Sequence, residues 1–151
     1  MAQGSTYSFR ALTGVLTNPV FGFTIQLTGG NIGAGSFTVR MATTRTTHDV
    51  AADGTVMPSY VAGDNGDVDI DVQESSVLHT SLLALWNLCL LAANNGDVSG
   101  WAETVISFRM LTDGTQHVLT GCSFDKVPDK PYESAGKRVT WKLMACQINN
   151  Y

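Results

Sequence analysis

The chain has 151 residues, of which 44% are hydrophobic and only 15% charged, and its formal net charge is −4. That length can bury a substantial core in one domain, expected to span 1–151, and so few charges imply that part of the surface is covered by another copy or partner. The acidic balance argues against a general nucleic-acid binder, which needs a basic patch to displace phosphate counterions.

The opening residues, MAQGSTYSF, show neither a basic n-region nor an apolar h-region, so no secretory signal is expected, and residues 1–6 read as a flexible arm. Residues 7–12 predict a short strand ended by a turn at Thr13-Gly14. Residues 20–27 alternate, with Phe21, Phe23, Ile25 and Leu27 on one side, which is the signature of a half-buried strand. The glycine-rich GGNIGAG at 29–35 lacks the lysine and following helix of a phosphate-binding loop. Residues 36–42 alternate again, with Phe37, Val39 and Met41 inward.

Residues 43–66 are polar and weakly patterned, and Asp53-Gly54 is a hairpin-turn signal, so this segment is expected to project as a ribbon. His48 lies within it with no second ligand at metal spacing. Residues 67–74 form the sharpest strand, with Val68, Ile70 and Val72 on one face and Asp67, Asp69 and Asp71 on the other. Three like charges on one face repel and require an explanation. The segment GDNGDVDID matches neither the EF-hand spacing nor the repeated calcium nonapeptide, so a wetted acidic face is favoured over a metal site.

Residues 75–96 predict a helix, with Ser75 or Ser76 as N-cap and Asn95-Gly96 as the stop. No charge occurs between Glu74 and Asp97. Leu78, Leu82, Leu83, Leu85, Trp86, Cys89 and Leu90 form a wide apolar face, and Val77, Ala84, Leu88 and Leu91 form a second, narrower one. A helix on a single core turns charge to water, so this helix is expected to be covered from two sides, the second by another subunit. Its length and polar interruptions argue against stable membrane insertion.

Residues 104–111 and 116–124 flank Asp113-Gly114 as a hairpin, with Ile106, Phe108 and Met110 opposing Val118, Thr120 and Cys122. A proline-containing loop at 125–136 leads to a closing strand at 138–148, whose inward set, Val139, Trp141 and Leu143, shifts phase to Met144, Cys146 and Ile148. Cys89, Cys122 and Cys146 form no CxxC pair, which favours buried thiols in a reducing compartment, with a Cys122–Cys146 bridge as the alternative. The tally of about seven strands and one helix implies a mainly β protein, an antiparallel β-sandwich or partial barrel with a flanking helix. His48, His79 and His117 fall in three different settings, and no catalytic or metal constellation can be named, so neither enzyme activity nor a cofactor is expected. A monomeric binding module for sugar or protein is the alternative and requires an exposed aromatic patch or groove.

An ordered set of motifs adds to this reading. The YSF strand is followed by ADGTVMPS at 52–59, then by GDVDIDVQESS running straight into the helix. Phe124, Pro128-Asp129, Tyr132, Gly136 and Val139-Thr140-Trp141 complete the set. In this the chain resembles the tail tube proteins of contractile-tailed bacteriophages, over most of residues 5–149. The resemblance implies a small β-sandwich with one helix, hexameric rings whose inner sheets join into a barrel, and a stacked tube in the virion tail, assembled in the host cytoplasm. Double-stranded DNA would pass through without specific binding, and the rod would be driven through the host envelope when the sheath shortens. Partners would be the tail sheath, tape-measure, baseplate and tail-terminator proteins. Asp67, Asp69 and Asp71 would line the bore, with the sheath side as the alternative for that strand face, and Val77, Ala84, Leu88 and Leu91 would meet the next subunit. His48, Asp53, Gly54, Met57 and Tyr60 would stack rings, and Pro128, Asp129 and Tyr132 would contact a neighbour or the sheath.

Overall fold

The computed structural model describes residues 6–30 and 32–151. The arm expected at 1–6 therefore lies, apart from Thr6, outside the described residues. A 3-10 turn at Phe9–Ala11 leads into β1 (Leu12–Asn18), β2 (Phe23–Gln26), β3 (Ala34–Met41), β4 (Thr46–Val50), β5 (Val56–Tyr60) and β6 (Gly66–Gln73). The helix α1 (Val77–Asn94) follows, then β7 (Thr104–Met110), β8 (Gln116–Phe124), β9 (Arg138–Ala145) and β10 (Gln147–Asn150).

Among the described residues, eight strands share one antiparallel assembly in the order β2-β1-β7-β8-β9-β6-β3, with β10 also on β8, while β4 and β5 pair only with each other. As far as Cys122, β8 pairs with β7, over 117–120 also with β10, and its last two residues, Ser123 and Phe124, pair with β9. β8 thus joins two sheet segments. Gly121 makes the bend: its φ of 65° is left-handed, and a Cβ there would lie 2.8 Å from the Cys146 Cβ. Across the fold, Phe37 of β3 meets Phe108 of β7 at 5.0 Å between ring centroids. The path stays open between β2 and β3 among the described residues, as a sandwich or partial barrel rather than a closed one.

Five expectations are corrected. The strand expected at 7–12 is a 3-10 turn, because the Ser8 hydroxyl takes the Arg10 N–H at 3.3 Å. Thr13-Gly14 is not a turn but lies inside β1, where Gly14 admits the Phe108 ring: a Cβ would lie 2.8 Å from its Cδ1. The strand expected from residue 20 begins at Phe23, because the Asn18 carboxamide oxygen takes the N–H groups of Val20 (3.1 Å) and Phe21 (3.3 Å) and turns the chain. In β8 the inward residues are Leu119, Cys122 and Phe124 rather than Val118, Thr120 and Cys122, because the bulge between β7 and β8 shifts the register. Met41, Met144 and Cys146, expected inward, are exposed. The phase change instead follows Ala145, where the chain leaves β6 and pairs with β8, so Ile148 returns to the core.

Trp141 is the largest fully buried side chain. It meets Phe124 at 5.5 Å, and Phe124 meets Trp86 of α1 at 5.9 Å, so edge-to-face aromatic contacts join helix and sheet.

Candidate assembly surfaces

α1 starts where its sequence predicts. Ser76 is the N-cap, its hydroxyl taking the His79 N–H at 3.1 Å, and the glycine-rich connection supplies a second cap, the Ile32 carbonyl accepting from the Leu78 N–H at 3.1 Å. The close approach of that connection explains its glycine content, since a Cβ on Gly33 would overlap the Ser76 Cβ. Asn95 and Gly96 end the helix, as expected.

α1 buries one face in the core and leaves the other uncovered. Leu78, His79, Leu82, Leu85 and Cys89 are buried, whereas Val77 (64% exposed), Ala84, Leu88 (39%) and Leu91 (63%) face outward together. At 18 residues the helix is long and apolar enough by composition to cross a bilayer, contrary to the sequence expectation. Its buried face is nevertheless committed to the protein core. The apolar content therefore serves a core on one side and leaves an uncharged stripe on the other.

Asp67, Asp69 and Asp71 do share one half-exposed outer face of β6, while Val68, Ile70 and Val72 are fully buried beneath them. They are not a bare acidic face. The Arg40 guanidinium of β3 donates to Asp67 at 3.0 Å and to Asp69 at 2.5 Å, the Lys142 ammonium of β9 lies 3.7 Å from Asp67, and Arg138 reaches Asp71 at 3.4 Å. Sequence reasoning missed these three bases. Arg40 stands outward in its strand pattern, but its partnership depends on the register that sets Arg40 opposite Asp67, which periodicity does not reveal. Three carboxylates matched by three cations explain how like charges tolerate one strand face.

β4 and β5 form the expected ribbon, and all ten of their residues are exposed. The pairing register puts Thr46, His48, Val50, Val56, Pro58 and Tyr60 on one face, and Thr47, Asp49, Met57 and Ser59 on the other. His48 and Tyr60 are thus brought together, and Met57 is turned away from them. Asp53 and Gly54 form the tip, where the Asp53 carboxylate takes the Thr55 N–H at 3.0 Å, a contact that holds its pKa below the ordinary value. Arg45 ties the base of the ribbon to Asp64 and to the Tyr60 hydroxyl. A two-stranded ribbon exposed on both faces is marginal by itself in water.

In the 125–136 loop, Tyr132 is 84% exposed and Asp129 is exposed, while Pro128 is half-buried. The Lys130 ammonium lies 5.4 Å from the Tyr132 ring centroid, so this corner presents one aromatic and one cation together.

Among the described residues, no group of three His, Cys, Asp or Glu side chains is placed to hold a metal ion. Cys89, Cys122 and Cys146 are free thiols, and burial pushes the Cys122 thiol up to about 12, which keeps it protonated and unreactive. The Cys122–Cys146 bridge does not form.

The family model described as bacteriophage PhiTE tail tube protein matches residues 4–151. No curated protein matches the sequence. Among solved structures, a chain of the anti-feeding prophage baseplate aligns with a TM-score of 0.61 at 9% identity, covering 99% of this chain and 97% of that one. A chain of the sheath–tube complex of the extracellular contractile injection system PVC, in its extended state, gives 0.58 at 8% identity, with coverage of 97% and 91%. A chain of the anti-feeding prophage tube-terminating cap gives 0.57 at 9% identity, with coverage of 100% and 94%. At these identities the likeness is one of fold.

Proposed function

The chain belongs to the bacteriophage PhiTE tail tube protein family, a structural family and not an enzymatic one, and from that premise we propose how its copies build the tube. Six copies close into a ring, rings stack, and the resulting hollow rod conducts double-stranded DNA inside a contractile sheath. A tape-measure protein occupies the bore during assembly, and baseplate and terminator proteins cap the ends. The tube is a virion component assembled in the host cytoplasm, and the whole chain, 1–151, acts as one tube domain.

The observation that carries this reading is the outward stripe of Val77, Ala84, Leu88 and Leu91 on a helix whose opposite side already holds the core. A monomer gains nothing from it, whereas a neighbouring copy buries it. Three further features support the reading. The free edges of β2 and β3 invite pairing, and closing a ring removes them. The exposed β4–β5 ribbon, with His48, Asp53, Gly54, Met57 and Tyr60 along it, is the ring-to-ring contact in this proposal. The corner formed by Pro128, Asp129 and Tyr132 suits a neighbour or the sheath.

The outer face of β6 lines the bore in this proposal. Six half-hydrated charged groups are costly to bury against another subunit and remain wet beside passing DNA. Their pairing leaves the wall close to neutral, so phosphate is neither held nor strongly repelled. Light scattering and negative-stain microscopy of concentrated protein, seeded with tail or baseplate fragments, test the proposal. Hollow tubes of uniform width are expected; small particles that persist after seeding contradict assembly and favour a monomeric binding module.

A further inference from the structure

Trp141 lies on β9 with no exposed surface, and its indole carries a hydrogen-bond donor and no acceptor. That donor points at His79 Nδ1, 3.0 Å away. His79 is 5% exposed and sits in the first turn of α1, with its backbone N–H on the Ser76 hydroxyl. The geometry fixes the imidazole: Nδ1 accepts, so the ring is neutral with its proton on Nε2.

Protonation would put an N–H on Nδ1 facing the indole N–H. Two donors would then meet where one hydrogen bond existed, leaving the buried indole unpaired. The new positive charge would also stand at the helix N-terminus, the end whose dipole favours anions. Around the ring, Lys130 of the 125–136 loop opposes protonation, and Glu74, in the turn before α1, favours it. The charged groups of β6 and β9, namely Asp67, Asp69, Asp71, Arg138 and Lys142, leave the opposite face of the sheet from the buried Trp141.

We propose that His79 is an acid-operated latch: neutral, it fastens the first turn of α1 to β9 through Trp141, and protonated, it lets that turn go. Burial, followed by Lys130, holds the imidazole pKa below its ordinary 6.5. Such a histidine takes up a proton on unfolding, so its contribution is complete above the ordinary value and is lost as pH falls below it. Val77 of the exposed stripe lies in that same turn, so acid loosening reaches this end of the assembly surface; that consequence, unlike the latch, rests on the proposed function.

The full chain, kept dilute and unassembled, tests the latch in two ways. Imidazole nitrogen NMR is expected to show His79 as the Nε2–H tautomer, with a titration midpoint below 6.5 and the Trp141 indole resonance moving at the same midpoint. Thermal melting is expected to fall further between about pH 7.5 and pH 5 for the wild type than for His79→Asn, whose carboxamide oxygen accepts without titrating. A His79 midpoint at or above the ordinary value, or equal acid sensitivity in the two proteins, overturns the proposal. If His79→Asn does not fold, the NMR titration of the wild type decides alone.

Discussion

Leu91→Lys separates a helix that serves only its own core from one that also serves a neighbour. Fully burying a leucine is worth about 1.5–3 kcal/mol. Leu91 is still 63% exposed, so roughly 1–2 kcal/mol per copy remains to be gained on assembly. In the isolated chain little is lost. The site lies in the last helical turn, where a cation meets the carbonyl end of the dipole, and a surface change there is worth about 0.5 kcal/mol or less. Leu85→Ala is the contrasting control: that side chain has no exposed surface, and its truncation costs about 2–5 kcal/mol. At this chain length each kcal/mol lowers Tm by about 2–4 °C. The control should therefore melt roughly 4–20 °C lower, and Leu91→Lys within about 2 °C of wild type. The concentration needed for seeded assembly, measured by pelleting, should rise at least about 5–30-fold for Leu91→Lys. The reasoning is refuted if Leu91→Lys melts as low as the core variant, or if it assembles at the wild-type concentration.

Gly33→Ala should be destabilising on two counts, its φ of 85° and the overlap with Ser76, and circular dichroism melts should show a loss of about 1–3 kcal/mol. Replacing the ribbon between residues 46 and 60 by a short glycine link should leave the melting of the body unchanged and abolish growth beyond single rings, as seen by electron microscopy. Asp67, Asp69 and Asp71 changed together to Asn should leave Arg40, Arg138 and Lys142 unpaired and turn this face basic. Phage carrying that tube should assemble but retain DNA in the tail after triggering, and normal infectivity would remove these residues from the bore.

What was legible in the sequence follows from how local the cause is. β6 and α1 were readable because each repeats its own period, two in Val68-Ile70-Val72 and helical in Leu78-Leu82-Leu85-Cys89, between a recognisable cap and stop. The narrow stripe on α1 was readable for the same reason, since the missing charge is itself a local signal. β1 was hidden because Gly14 carries the composition of a turn, and only the approach of Phe108, 94 positions away in sequence, shows why glycine is there. The partners of Asp67, Asp69 and Asp71 were hidden because a one-residue slip of β3 or β9 would turn Arg40 and Lys142 to the other face, and nothing local fixes that register. His79 carried no signal beyond its place on the helix; its meaning comes from Trp141, which lies 62 positions along the chain.

Copies of this chain are proposed to close into rings around a bore lined by the outer face of β6. Cryo-electron microscopy of tubes grown from seeds tests it most directly. Sixfold rings with a hollow axis are expected, with Asp67, Asp69 and Asp71 at the inner wall beside Arg40, Arg138 and Lys142, and Leu88 and Leu91 covered by the next subunit. A tube in which that charged face is buried between copies, while the leucine stripe stays in water, would contradict it.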